Sequence, residues 1–226
     1  MTQDPDRNRA FFGRVKGKKL RSGQEASIND LLPQLRVNPE LGPDKIFDRP
    51  MKELWIEIGF GGGEHLAHRA RENPDVGIIG CEPFINGMAK LLVVVDNEKL
   101  DNIRVWERDA TELLPLLPEA SFQTIYLLYP DPWPKRPQRK RRFISDQTLE
   151  MIARLLVKGG QFRFATDIDN YAGWGLARIM RSSQFRWTAE RPDDWRKPWA
   201  NWPGTRYEAK AIREGRVPSY MTFERI

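Results

Sequence analysis

One stretch limits what this chain can fold into more than any other. Glu57-Ile58-Gly59-Phe60-Gly61-Gly62-Gly63-Glu64-His65 runs from a β-prone segment, Glu53 to Ile58, through a cluster of glycines into a helical pattern, Glu64 to Glu72. Glycines let a backbone turn sharply and approach a ligand closely. The free amides at a helix start favour an anion. The same strand-then-helix rhythm continues down the chain. Val76 to Cys81, Ile103 to Trp106, Phe122 to Leu128 and Gln161 to Ala165 are β-prone and apolar. Met88, Leu91, Leu92 and Val95 recur at i, i+3, i+4 and i+7, one face of a helix. Ser145 can cap a further helix, with Ile144 and Leu149 as a hydrophobic staple. Its buried stripe is Leu149, Ile152, Ala153 and Leu156, and Gly159-Gly160 closes it. Asn170 to Met180 is another helix, and Phe185 to Ala189 can pair antiparallel with Tyr220 to Phe223 at a sheet edge. Strands alternating with helices predict an α/β chain with a doubly wound, mostly parallel sheet covered on both faces. In such sheets ligands bind beyond the carboxyl ends of the strands, near the topological switch point.

Three acids fall at that edge. Glu57 precedes the first glycine, where a carboxylate is awkward for a pyrophosphate but suits an ammonium group. Position 64 is glutamate, so the spacing is not Gly-x-Gly-x-x-Gly. Both features favour a cofactor containing an amino acid over a dinucleotide. Glu82 follows the second strand, in Gly80-Cys81-Glu82-Pro83, where a carboxylate typically accepts from both hydroxyls of a ribose. Asp109-Ala110 follows the third strand; the aspartate can accept from an adenine amino group or cap a helix. Together the three describe a pocket for adenosine joined to an amino acid, which is S-adenosylmethionine.

The fourth strand runs into Tyr129-Pro130-Asp131-Pro132-Trp133-Pro134, and then into Lys135 to Arg142, which holds six basic residues. The prolines hold Asp131 on a stiff turn. Arg7 to Arg21 holds seven more basic residues and no acid. The net charge is +6, so without those thirteen cations the remainder stands at −7. An acidic body with two basic patches points to a polyanionic partner, nucleic acid first. The composition excludes other classes. No run approaches the ~18 apolar residues of a membrane span. No signal peptide is visible from Met1 to Asp6. One cysteine, Cys81, and two histidines argue against a disulfide framework or a dedicated metal site. A cytoplasmic protein is the expectation. Residues 1–45 are expected as a basic, partly flexible arm, and residues 46–226 as the folded domain.

These motifs resemble the bacterial tRNA (guanine-N7)-methyltransferases, in the class I S-adenosylmethionine-dependent superfamily with its Rossmann-like fold. The resemblance runs from about Phe11 to the C-terminus. It is carried by Phe12-Gly13-Arg14 to Leu20-Arg21, Glu57-Ile58-Gly59-Phe60-Gly61, Gly80-Cys81-Glu82-Pro83, the Asp131 segment with Lys140-Arg141-Arg142, Ala165-Thr166-Asp167, and Thr205-Arg206-Tyr207-Glu208. It implies methyl transfer from S-adenosylmethionine to N7 of a guanine in tRNA, position 46 of the variable loop. It implies cofactor contacts from Glu57, Gly59, Gly61, Glu82, Asp109, Ala110 and Asp131, with Asp131 also the active-site residue. It assigns the substrate to Lys135, Asp167, Thr205, Arg206, Tyr207 and Glu208. Phosphate contacts then fall to Arg14, Lys18, Arg139, Lys140, Arg141 and Arg142. The family often has a histidine in the basic run where this chain has Gln138, after Pro137. The expected partner is tRNA, with no metal and no membrane, and the expected state is a monomer or weak homodimer.

Guanine N7 is an acceptor with no proton to lose, so the expected chemistry is alignment rather than base catalysis. Asp131, Asp167 and Glu208 are expected to hold the guanine through its N1–H and amino donors. Trp187, Trp195, Trp199 and Trp202 crowd the last third and read either as stacking platforms for a flipped base or as core and lid residues. Two other classes share part of the pattern. A nicotinamide oxidoreductase would want a third glycine at Glu64, and an RNA-binding module without catalysis would not need Glu57, Glu82 and Asp109 together.

Overall fold

A computed structural model describes residues 13–226; the first twelve residues, with Arg7, Arg9 and the Phe11-Phe12 end of the resemblance, lie outside the described residues. Seven strands form one sheet in the order β3-β2-β1-β4-β5-β7-β6. They are β1 (Glu53–Ile58), β2 (Val76–Cys81), β3 (Ile103–Trp106), β4 (Phe122–Leu128), β5 (Leu156–Thr166), β6 (Phe185–Trp187) and β7 (Ser219–Arg225). The first five are mutually parallel along the sheet. The expected edge hairpin is present: β7 runs antiparallel to both β5 and β6. The strand order reverses between β1 and β4, so the crevice a ligand can enter lies at their carboxyl ends.

The strand period of two sorts side chains onto the two faces. Leu54, Ile56 and Ile58 join Ile79, Cys81, Ile125 and Leu127 in one core. Trp55 joins Ile78, Tyr126 and Leu128 in the other. Helices cover both faces, as a parallel sheet requires. In chain order they are α1 (Ser22–Asp30), α2 (Leu32–Leu35), α3 (Glu64–Glu72), α4 (Ile85–Glu98), α5 (Ala110–Leu113), α6 (Asp146–Leu155), α7 (Asp169–Ile179), α8 (Asp193–Arg196) and α9 (Arg206–Arg213). The expected face of α4 is buried through Met88, Leu91, Leu92 and Val95. Among the described residues no helix is long and apolar enough to cross a membrane.

Two local expectations change. Ser145 caps α6 as expected, accepting from Thr148 N at 3.2 Å, but the helix ends at Leu155. Leu156, expected on its buried stripe, opens β5 opposite Phe122. An apolar residue there satisfies the helical and the strand period equally, so periodicity alone does not separate them. Gly159, at φ +81°, falls inside β5 instead of ending a helix. The second change concerns residues expected as an arm. Residues 22–35 form α1 and α2, and Leu32, Leu35 and Val37 are buried. Val37 N donates to Val105 O at 3.0 Å, covering the exposed edge of β3. These helices are too short to show a period in the sequence, and tertiary packing supplies their stability.

Candidate active site

A cavity of about 380 Å³ opens beyond β1 and β4, within the roughly 300–1,000 Å³ of small-molecule sites. Each of the first four strands delivers residues to it. Ile58, Gly59 and Gly61 follow β1; Glu82 follows β2; Asp109 and Ala110 follow β3; Tyr129, Pro130, Asp131 and Trp133 follow β4. Gly13, Arg14, Arg141 and Tyr207 also line it.

Every second residue of the glycine loop is left-handed, with φ of +72°, +60° and +80° at Gly59, Gly61 and Gly63. Side chains are disfavoured there. A further glycine, Gly87 in the first turn of α4, lets that helix touch the loop: a Cβ on it would fall 1.9 Å from Gly61 O. Gly87 is not among the expected site residues, although a glycine inside a helical pattern is the signal for such an approach. Glu82 ties the loops together. Its Oε2 accepts from Gly61 N at 2.6 Å and its Oε1 from Phe84 N at 2.9 Å. Burial pushes its carboxyl above the usual glutamate range, against these two backbone bonds. Asp109 takes the capping role the sequence allowed and also faces the cavity. Its Oδ1 caps α5 by accepting from Thr111 N at 2.9 Å.

The Asp131 turn is stiff beyond its prolines. Tyr129 and Trp133, neither a glycine, take φ of +49° and +40°. Such residues cost on the order of 1–3 kcal/mol each and persist only where the surroundings fix them. Tyr129 N donates to Ala165 O at 2.8 Å, and Arg142 Nε donates to Pro132 O at 2.8 Å. Asp131 is exposed at the rim, yet partial burial lifts its carboxyl above the usual aspartate range.

Several expected site residues have other partners. Arg142 is the clearest correction. It is 1% exposed, donates to Pro132 O and to Asn170 Oδ1 at 2.7 Å, and stacks on Tyr171 and Trp174. A guanidinium so enclosed has no face for a phosphate; it braces the Asp131 turn. Glu57 is 2% exposed and does not line the cavity; its Oε2 meets His65 Nδ1 at 2.7 Å behind the glycine loop. Asp167 accepts from Arg216 Nε at 2.6 Å. Glu208 is buried and accepts from Trp202 Nε1 at 2.7 Å, Thr205 N at 3.1 Å and the Tyr220 hydroxyl. With Thr205 it forms the capping box of α9. Neither Asp167 nor Glu208 lines the cavity, whereas Tyr207 does. Lys135, Arg136 and Lys140 are exposed, and Arg139 and Arg141 half-buried, around a 3-10 segment, Arg136–Arg141. Pro137 sits in its first turn, where no N–H is needed. Lys18 O accepts from Asn86 Nδ2, and Gly17 N donates to Asn86 Oδ1, both at 2.7 Å, which lays residues 13–18 along the start of α4. The tryptophans resolve as packing. Trp199 and Trp202 meet each other and Tyr220 edge-on, and Trp187 and Trp195 pack on the core.

The residues present fit S-adenosylmethionine. The cavity offers a carboxylate after β2, a second after β3, and a glycine loop that admits close approach. Arg206 Nε, beside the glycine loop, is buried without a protein acceptor. Among the described residues no group of three or more acids, histidines or cysteines is placed to hold a metal.

This sheet order, with an antiparallel β7 and acids after successive strands, defines a class I methyltransferase. The fold agrees with solved structures. An rRNA methylase from Streptococcus thermophilus superposes at a TM-score of 0.53, with 12% identity over 78% of this chain and 89% of that one. A structure from Streptococcus mutans described as a putative methyltransferase in complex with SAH gives 0.51 with 11% identity over 92% of this chain and all of the other. A family model described as a putative methyltransferase matches residues 51–220. A tRNA (guanine-N(7)-)-methyltransferase of Agrobacterium fabrum is 55% identical over 96% of this chain and 95% of its own. One from Rhizobium meliloti is 52% identical over 96% and 95%. The chain belongs to the tRNA (guanine-N7)-methyltransferase family.

Proposed function

We propose that this chain methylates N7 of a guanine in tRNA, position 46 of the variable loop. Near-full-length identity of about half to relatives that carry this name is the observation behind the reading. The cavity geometry agrees with it. S-adenosylmethionine, when bound, supplies an electrophilic methyl group on a sulfonium. Glu82, Asp109, Ala110, Gly59 and Gly61 would hold it, with Glu57 acting from behind the loop. Guanine N7 offers a lone pair and no proton, so no residue here need act as a strong base. Asp131 orients the base and cofactor and stabilises positive charge moving onto the guanine. Its strained, proline-bounded turn is pre-organised for that work. Lys135, Asp167 and the Thr205–Glu208 turn shape the guanine side. Glu208 acts there by fixing α9, because the protein already fills its carboxylate. Tyr207, on the same turn, reaches the cofactor cavity.

Arg14 and Lys18 on one side and Arg139, Lys140 and Arg141 on the other take tRNA phosphates. Residues 22–45 then belong to the domain. The site of action is the cytoplasm. The test is methyl transfer to unmodified tRNA with mass mapping of the product. N7-methylguanosine in the variable loop is expected. A methyl group on any other atom would overturn the specificity and leave the class standing.

A further inference from the structure

The chain has two histidines, His65 and His68, one turn apart on α3, the helix that follows the glycine loop. Neither belongs to the cofactor or substrate set described above. Both touch the segment that leads into α9. His68 Nε2 lies 3.2 Å from Asn201 O. The ring of His65 lies 4.9 Å from that of Trp202, and its other side meets Tyr126 edge-on at 4.9 Å. His65 Nδ1 meanwhile meets Glu57 Oε2 at 2.7 Å, with both side chains 3% exposed. Trp202 in turn donates Nε1 to Glu208 Oε2 at 2.7 Å. One buried ring therefore touches the acid behind the glycine loop on one side, and on the other the tryptophan that seats the Thr205–Glu208 capping box.

We infer that His65 is a positioning residue that sets the cofactor loop and the guanine-binding turn in register, through Glu57 on one side and Trp202 on the other. The inference rests on the methyltransferase reading above. The ring does two separable things. Its Nδ1, 2.7 Å from Glu57 Oε2, holds that buried carboxylate in a fixed rotamer under the loop. The ring itself packs against the tilted ring of Trp202, 4.9 Å away, so the indole N–H stays aimed at Glu208. A buried carboxylate left without its partner becomes a disordered or protonated group. A buried indole left without its packing loses its fixed orientation. His68 ties the same turn by its backbone at Asn201, which takes a left-handed φ of +56°.

Two substitutions separate the functions. His65→Phe keeps a ring against Trp202 and removes the nitrogen beside Glu57. His65→Gln keeps a hydrogen-bonding group near Glu57 and removes the ring. The measurements are dissociation constants for S-adenosylhomocysteine and for unmodified tRNA, with thermal melts to show that each variant is folded. For His65→Phe the S-adenosylhomocysteine constant should rise about tenfold, as a lost charge-assisted contact implies, with tRNA binding within about twofold. For His65→Gln the pattern should invert. Trp202→Phe, which keeps the packing and drops the bond to Glu208, should reproduce the tRNA loss of His65→Gln with cofactor binding unchanged. If both histidine variants weaken the two ligands in equal proportion, or weaken neither, the inference is overturned, since a merely structural residue behaves so. If the wild-type chain binds no S-adenosylhomocysteine, the methyltransferase reading fails instead.

Discussion

Arg142 gives the sharpest test, because its basic-run position and its surroundings predict opposite outcomes for Arg142→Ala. As a phosphate ligand it would be exposed, and its loss would weaken tRNA binding and lower the salt slope by about 0.7–0.9 per contact. In the structure it is 1% exposed and makes two short charge-assisted bonds, to Pro132 O and Asn170 Oδ1. A hydrogen bond to a charged group contributes roughly 1.5–3 kcal/mol. Two of them amount to about 3–6 kcal/mol. For a domain of this size each kcal/mol shifts Tm by about 2–4 °C, so a fall of roughly 6–24 °C is expected. The Pro132 bond also holds the turn that carries Asp131, so turnover should fall about tenfold or more at temperatures where the variant is still folded. The assay is a thermal melt together with tRNA affinity measured across a salt series. Arg139→Ala and Lys140→Ala serve as controls that lower the slope and leave Tm within a few degrees. An Arg142→Ala protein with wild-type Tm and a reduced salt slope would refute the reasoning.

Asp131→Ala should cut turnover by about a hundredfold or more while changing S-adenosylhomocysteine affinity by less than about tenfold, as expected for a group acting mainly in the transition state; steady-state kinetics beside calorimetry decides this, and full turnover would sink the assignment. Gly87→Ala drives a Cβ to 1.9 Å from Gly61 O, so the loop or α4 must shift; cofactor affinity should drop by about tenfold or more, read by calorimetry. The carboxyl of Glu82 is raised by burial. It therefore protonates at a higher pH than an ordinary glutamate as pH falls, and a protonated acid cannot accept from two ribose hydroxyls at once. S-adenosylhomocysteine affinity should accordingly decline on acidification before ordinary carboxylates titrate, and in Glu82→Gln it should be weaker with that pH dependence flattened. Glu208→Gln removes an anionic acceptor shared by Trp202, Tyr220 and Thr205 N; it should lower stability by about 1–3 kcal/mol, measured by denaturant titration, and weaken tRNA more than cofactor.

Much of the fold is readable in the residues themselves. The glycine loop, the acids after successive strands and the alternation of strand and helix are local patterns, and local patterns specify a parallel α/β sheet and the edge where its ligand sits. The Asp131 turn is legible for the same reason, since proline geometry is set within two residues. Three things were not readable. Residues 22–37 carry no strong period, and only the uncovered edge of β3 and the flank of α4 make helices and buried leucines of them. Leu156 satisfies both periods, and only pairing with Phe122 decides for the strand. The partners of charged side chains depend on what lies across space: Arg142 and Lys140 stand two places apart in one basic run, yet one is enclosed by Asn170 and Trp174 and the other is free to meet solvent. Glu57, Asp167 and Glu208 likewise read as open acids, and long-range contacts with His65, Arg216 and Tyr220 claim their carboxylates. Which elements form, and at which edge chemistry can occur, is written locally, because backbone geometry and apolar spacing act over a few residues. Tertiary structure alone decided which of the charged groups at that edge remain open to a ligand, because desolvating a charge demands a partner and the chain supplies that partner from far away.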